Sequence, residues 1–283
     1  MLLITSSLLL SLLIHPACRQ LAVRHNWLAS SANRLGASPC LTGGVGILLT
    51  IITALLLFGE TGLGSDLSHF WTGLLVVFAM GIADDIQPLG PGTKLGFQIL
   101  AASIFLLPLP LDWWIPLYLL WLVFIINALN LLDNMDGLAG GVGLIAALTL
   151  SRLSPNGEEI LLVLAGSLAG FVAYNFPPGR IFLGDSGSHL IGYTLGALSL
   201  KAILSVSTPS WGDLLAFPLV LAVPILDTVF VILSRWKRGD PITRGGKDHL
   251  SHFLLNYGFS ERKVDLIFYT VTTVFSLSAL ILA

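Results

Sequence analysis

The sequence predicts an all-α fold, a polytopic integral-membrane bundle of about 10 transmembrane helices with both termini on the outer face. Three observations carry the prediction. Of 283 residues, 55% are hydrophobic and only 11% are charged, 14 Lys and Arg against 16 Asp and Glu; a soluble domain carries roughly 25%. Apolar runs of membrane-helix length recur down the whole chain, which excludes a soluble enzyme, a disordered chain and a single-span receptor. The few cations alternate between abundant and scarce in successive loops, the pattern left by loops that face the cytoplasm by turns. A net charge of -2 provides no basic patch for nucleic acid, so that class is excluded as well.

The first run, 1–17, resembles a secretory h-region but has no basic segment before it and a poor cleavage site before Cys18, so it reads as an uncleaved helix. The second, 43–58, opens on Gly43-Gly44-Val45-Gly46, which lacks the spacing and Lys of a Walker loop and reads as close packing between helices. The third, 70–83, runs into Asp84 and Asp85; the fourth, 94–109, starts at Lys94. The fifth, 113–130, leads to Asp133 and Asp136, and the sixth, 138–152, carries a second small-residue patch, Gly140-Gly141-Val142-Gly143. The seventh, 159–176, ends on Asn175, and the eighth, 187–204, follows Asp185. The ninth, 213–234, gives way to the longest loop, 235–263, which is basic, rich in Gly and holds His249 and His252; the tenth is 264–283. With no soluble segment, repeat or low-complexity tract between them, residues 1–283 read as a single membrane-embedded domain.

Orientation follows from the cations. The odd loops and adjoining helix ends hold Arg19, Arg24, Arg34, Lys94, Arg180, Arg235, Lys237, Arg238, Arg244, Lys247, Arg262 and Lys263, whereas the even loops hold only Arg152 and Lys201. The odd loops are therefore expected in the cytoplasm. Cys18 and Cys40 fall on that side, where thiols stay reduced, and no disulfide is expected.

Five carboxylates gather on the same face although they played no part in drawing the topology. A carboxylate at a membrane helix end is costly and marks a substrate path, an ion site or a proton relay; the plain reading is a set of solvated caps. Asp84 and Asp85 are adjacent, so on a helix they point about 100° apart, one free to act on substrate while the other orients a neighbour. Lys94 balances one of them, holds a phosphate, or simply anchors the loop. Asn130, Asp133 and Asp136 recur every third residue and on a helix form one polar ridge, suited to hydroxyls, a base edge or a cation. Asp185 lies in a loop shaped by Pro177, Pro178, Gly179 and Gly184, in which Phe182 is placed to stack on a flat ring and Arg180 to meet an anion. Crowded carboxylates repel unless a cation joins them. A hard divalent ion with oxygen ligands, most simply Mg2+, fits; the site is not zinc-like. His249 and His252, three apart, share a face of a helical turn and can donate to phosphate oxygens.

Taken in order, Asp84-Asp85 with Lys94, Asn130-x-x-Asp133-x-x-Asp136-Gly137, Asn175-x-Pro177-Pro178 running to Phe182-Leu183-Gly184-Asp185-Ser186-Gly187-Ser188, and the His249/His252 loop resemble the polyprenyl-phosphate N-acetylhexosamine-1-phosphate transferases. That family includes the undecaprenyl-phosphate GlcNAc-1-phosphate transferases and phospho-N-acetylmuramoyl-pentapeptide transferase. The resemblance spans about residues 20 to 265. It implies a glycosyltransferase of the plasma (inner) membrane with its active site facing the cytoplasm. The donor would be a cytosolic UDP-sugar, with UDP-GlcNAc favoured by the 248–260 loop and the muramoyl-pentapeptide donor as the alternative. The acceptor would be polyprenyl (undecaprenyl) phosphate in the bilayer, the cofactor Mg2+ or Mn2+, the leaving group UMP, and the assembly a homodimer. It implies Asp84, Asp85 and Asp185 as catalytic residues, with Asp185 the metal ligand. Lys94, Asn130, Asp133, Asp136, Asn175, Arg180, Phe182, His249 and His252 would bind substrate. The family's loop often carries a His where Ser251 stands, and an acidic residue is missing from Asn26-Trp27-Leu28-Ala29-Ser30. A cation-coupled transporter is the non-enzyme reading of the same carboxylates, disfavoured because transport sites lie near the bilayer midplane and these gather at one face.

Overall fold

A computed structural model describes residues 1–25, 41–59, 67–154, 159–241, 246 and 248–283. Asn26 to Ser30, Arg34, Cys40, Arg244 and Lys247 lie outside the described residues. Among the described residues there are twelve α-helices and no strand: α1 Leu2–Arg24, α2 Gly43–Phe58, α3 Ser68–Ile86, α4 Pro91–Leu106, α5 Ile115–Leu132, α6 Leu138–Leu153, α7 Glu159–Asn175, α8 Gly184–Leu204, α9 Trp211–Val220, α10 Ala222–Arg238, α11 Leu250–Asn256 and α12 Glu261–Leu282. Each expected apolar run is helical. By length and composition α1, α3, α5 and α12 each suffice to cross a bilayer, and the α9–α10 pair does so if counted as one bent span. Helices α2, α6 and α7 are apolar but shorter. Large side chains such as Leu9, Leu13, Leu56, Leu75, Leu120 and Leu277 stand exposed around the outside, as a bundle solvated by lipid requires.

The ninth run departs from expectation. Instead of one helix over 213–234, the chain bends by 70° between α9 and α10. Pro224 explains the break: it has no N–H to give to the carbonyl of residue 220 and its ring crowds that carbonyl. Ser210 closes the start of α9 in a reciprocal capping box with Asp213. Beyond the bend, α10 turns Asp227, Thr228, Val231 and Arg235 inward, all buried on one face.

Helix α8 is the centre of the bundle, buried from Ser186 through Leu200 and packed against α2, α3, α5 and α6. Small residues permit this crowding. A Cβ on Gly44 of α2 would lie 2.4 Å from the backbone N of Gly187, and one on Gly81 of α3 would lie 2.4 Å from Cα of Ser186. The second small patch works likewise: a Cβ on Gly141 would meet the ring of Tyr269 at 2.1 Å. Both Gly-rich pieces are thus sites of close helix approach. Gly44 and Gly81 also bring the start of α2 and the end of α3 against the start of α8, where Asp185 stands.

Candidate active site

The site is built from helix ends that converge on one side of the bundle. Asp84 and Asp85 occupy the last turn of α3, Lys94 the first turn of α4, Asn130 the last turn of α5, and Asp185 the first turn of α8. Lys94 Nζ lies 2.6 Å from Asp84 Oδ2 and 3.0 Å from Asp185 Oδ2. Asp84 Oδ1 also accepts the Leu89 N–H at 2.7 Å, which fixes the turn between α3 and α4 and so the position of Lys94. Asn130 Nδ2 donates to Asp185 Oδ1 and, at 3.0 Å, to Ser188 Oγ. Each oxygen of Asp185 therefore meets a donor from a different helix, and its carboxylate is held in place before any ligand arrives.

Asp85 has another task. Its two oxygens accept the backbone N–H groups of Asp185 at 2.7 Å and Ser186 at 3.1 Å. The first N–H groups of a helix have no partner within it, and an anion there is favoured by the helix dipole. Asp85 thus caps α8 from a distance. Gly184 makes room for it: its φ is +73°, and a Cβ there would sit 2.8 Å from both Asp85 oxygens. Of the adjacent pair, Asp84 faces Lys94, and Asp85 sets the start of the helix that carries Asp185.

The polar ridge Asn130/Asp133/Asp136 does not form. Helix α5 stops at Leu132, where Asn134 Nδ2 donates to the Leu131 carbonyl at 3.0 Å, and Gly137 turns the chain with φ +82°. Asn130 consequently reaches Asp185, whereas Asp136 Oδ2 accepts the Gly179 N–H at 3.0 Å. Asn175 is buried between the two loops, accepting the Gly137 N–H at 2.8 Å and donating to the Ile181 carbonyl at 2.9 Å. Asp133, half-buried in the turn, has its carboxyl pushed up to about 8 by burial and by repulsion from Asp85 and Asp136; a cation nearby would draw it back. Phe182 is half-buried, and its carbonyl accepts the Gly43 N–H at 3.0 Å. Arg180 is exposed and lines a cleft of about 300 Å³ with Arg19, Arg24 and Tyr174, a cleft that none of the five aspartates lines.

The His loop is docked at three points. His249 Nδ1 lies 2.8 Å from Asp227 Oδ2, and Asp227 Oδ1 accepts the Leu250 N–H at 2.8 Å. Ser251 Oγ donates to Asn134 Oδ1 at 2.6 Å, tying the loop to the 133–137 turn. Asp248 accepts from Arg235 at 3.1 Å and Arg238 at 2.6 Å. Burial raises the Asp248 carboxyl, but the hydrogen bonds and charges of these two arginines outweigh it and hold the group below the usual range. The rings of His249 and His252 meet edge to face, centroids 6.0 Å apart.

Comparison with known proteins places this arrangement. The glycosyl transferase family 4 profile matches residues 67–203, which contain all five aspartates. "Probable undecaprenyl-phosphate N-acetylglucosaminyl 1-phosphate transferase" of Bacillus subtilis is 33% identical over 98% of this chain and 83% of its own length. The chain belongs to glycosyl transferase family 4. Two further relatives in this group align over shorter stretches. Decaprenyl-phosphate N-acetylglucosaminephosphotransferase of Mycobacterium tuberculosis is 39% identical over 46% of this chain and 37% of that protein. Phospho-N-acetylmuramoyl-pentapeptide-transferase of Moorella thermoacetica is 35% identical over 49% of this chain and 40% of that protein.

Within this glycosyl transferase family 4 chain, the residues singled out from sequence divide three ways. Asp84, Lys94, Asp185 and Asn130 form one chain of contacts in that order, with Asp85 joined through the α8 backbone. Asp136 and Asn175 make loop-to-loop hydrogen bonds and the Phe182 carbonyl bonds the start of α2, which together shape the rim, with Asp133 in the turn after α5. Arg180 stands in a separate cleft, and the loop that carries His249 and His252 reaches the rim through the Ser251–Asn134 bond. Sequence reasoning missed Asp227, Ser188, Asn134 and the role of Ser251. Asp227 carried a signal, since a carboxylate inside an apolar run is costly in lipid; the apolar residues around it masked it. Ser251 is fully buried, so a hydroxyl here does what a bulkier imidazole could not. Replacing Ser251 with Ala leaves Asn134 Oδ1 without its donor and is expected to destabilise the loop by about 1–3 kcal/mol. The expected readout is faster proteolysis at 248–256 with unchanged global unfolding temperature.

Proposed function

We propose that the protein transfers a sugar-1-phosphate, GlcNAc-1-phosphate by preference, from a UDP-sugar to polyprenyl (undecaprenyl) phosphate at the cytoplasmic face of the plasma membrane. The product lipid-linked sugar would feed cell-envelope glycan synthesis. The observation that carries this reading is the Asp185 carboxylate, held by Lys94 and Asn130 at the end of a buried helix with Asp84 beside it. Two named relatives, one matching nearly the whole chain, carry the corresponding lipid-phosphate activity in their names. The cation bias of the odd loops supports an active site on the cytoplasmic side and both termini outside.

The residues suit a hard divalent cation. Among the described residues no three acidic or His side chains converge as a ready-made cage. Mg2+ does not need one: it takes one or two carboxylates and completes its shell with phosphate oxygens and water, and Mn2+ accepts the same oxygen donors. Asp185 would hold it, with Asp84 close by. When bound, the ion neutralises charge building on the diphosphate. The chain's own residues position the rest. An oxygen of the lipid phosphate attacks the β-phosphorus of the donor, the bond from that phosphorus to the α–β bridging oxygen breaks, and UMP departs with the electron pair. A phosphate monoester is already largely ionised near neutral pH, with a second pKa of about 6, so no strong base is required. Lys94 offsets repulsion between the two anions, and Asp84 orients Lys94 while Asn130 orients Asp185.

Purified protein with Mg2+ and undecaprenyl phosphate should release UMP from UDP-GlcNAc and form lipid-linked sugar. EDTA should stop the reaction, and added Mg2+ or Mn2+ should restore it. UDP-N-acetylmuramoyl-pentapeptide in the same panel decides between the two donors. If no UDP-N-acetylhexosamine yields UMP, the transferase reading is wrong, and sugar counterflow without UMP would establish a transporter instead.

A further inference from the structure

The carboxylate of Asp227 and the imidazole of His249 form a pair whose side chains are only 1% and 5% exposed. Their contact spans 22 residues of sequence, from the inward face of α10 to the residue just before α11. The carboxylate is used twice, at His249 Nδ1 and at the Leu250 N–H, both at 2.8 Å. An ionised carboxylate only accepts hydrogen bonds. With Asp227 ionised, the Nδ1 contact is made by the tautomer that carries its proton on Nδ1, and the second bond stops the carboxylate from swinging away. The ring is further confined by the Ser251 bond to Asn134 two residues on and by the Asp248 bonds to Arg235 and Arg238 one residue before.

We propose that Asp227 is a positioning residue for the transfer, acting through His249. By holding the proton on Nδ1 it reserves Nε2 for a phosphate oxygen of the bound UDP-sugar. This rests on the transferase reading above. Phosphate oxygens accept, so Nε2 must donate. On donor binding it takes a proton from solvent, and the imidazolium then lies between two anions, Asp227 at one nitrogen and phosphate at the other. The proton returns to solvent when UMP leaves. A carboxylate that fixes the tautomer of a histidine and stabilises its imidazolium is a recurrent device in catalysis. Here the carboxylate comes from a membrane helix, which accounts for the presence of a costly buried Asp in an apolar run.

Histidine 15N spectra of the full-length protein in nanodiscs test the pair without any substitution, with His249 assigned by the signal lost in H249Q. Ligand-free protein should show Nδ1 carrying the proton, and UDP-GlcNAc should add one to Nε2. A ligand-free His249 protonated on Nε2 alone would overturn the proposal. Asp227→Asn should lose the tautomer preference and lower kcat about 30-fold with KM for UDP-GlcNAc within threefold. The D227N/H249Q double variant should turn over no more slowly than H249Q alone. Independent, multiplicative losses would mean that Asp227 acts elsewhere, and the proposal would fail. Should the wild type release no UMP from any UDP-sugar, the transferase reading fails while the spectra still decide the Asp227–His249 pair.

Discussion

Asp185→Asn is expected to lower UMP release by about 10³-fold or more, the scale on which a removed electrostatic contact of a transition state registers, while the protein still inserts and folds. The isosteric amide keeps an oxygen to accept from Asn130, and Lys94 retains Asp84 at 2.6 Å, so the helix ends stay together. What is lost is the negative charge that would hold a divalent ion against the donor's diphosphate. Detergent-solubilised variant should elute and unfold like wild type and lose the Mg2+-dependent rise in unfolding temperature expected of the wild type. Turnover within tenfold of wild type would remove Asp185 from the metal role.

Lys94→Met should have the second-largest effect. Its ammonium is shared by Asp84, 6% exposed, and Asp185, 25% exposed. Removing it leaves two carboxylates facing each other with no cation, and stripping one partner from a buried pair costs about 3–5 kcal/mol; the lower end suits a lysine that is itself 23% exposed. Turnover should fall at least 100-fold, because the repulsion between lipid phosphate and diphosphate is no longer offset. Mg2+ should stabilise this variant more than it stabilises the wild type, since the ion no longer competes with an ammonium for the same oxygens. A variant that unfolds at the wild-type temperature and gains nothing from Mg2+ would show that the three-residue bridge does not hold the helix ends. Lys94→Arg should recover stability better than turnover, since a planar fork cannot replace a compact charge between two separate carboxylates.

Both residues were legible in the sequence because polar groups at the ends of apolar runs stand out against lipid. So did the helices, whose apolar runs needed no tertiary knowledge to locate. What periodicity could not supply was where a helix stops for reasons of tertiary contact. Asn130 and Asp136 looked like one face because spacing alone does not show that the helix stops at Leu132; Gly137 turns the chain with its positive φ, and Asn175, 38 residues from it, holds that turn through the Gly137 N–H. The bend at Leu221 was locally visible in Pro224, but the surrounding hydropathy read as one continuous span. Asp227 and Ser251 were hidden for a related reason: their partners, His249 and Asn134, lie 22 and 117 residues away, and a buried hydrogen bond of that kind leaves no local pattern.

The cap on α8 bears on how kinetic data for this site are interpreted. Asp84 and Asp85 are neighbours in an acidic pair, and a scan of charge-neutralising variants would score them alike. They are not equivalent. Asp85 holds the backbone of Asp185 and Ser186, so its loss shifts the origin of the helix on which the Asp185 carboxylate rides. A dead Asp85 variant is therefore a report on coordinates before it is a report on chemistry. The two separate when Asp85→Asn is compared with Gly184→Ala: the glycine has no side chain to react, and a shared kinetic defect in both would trace to the displaced turn alone.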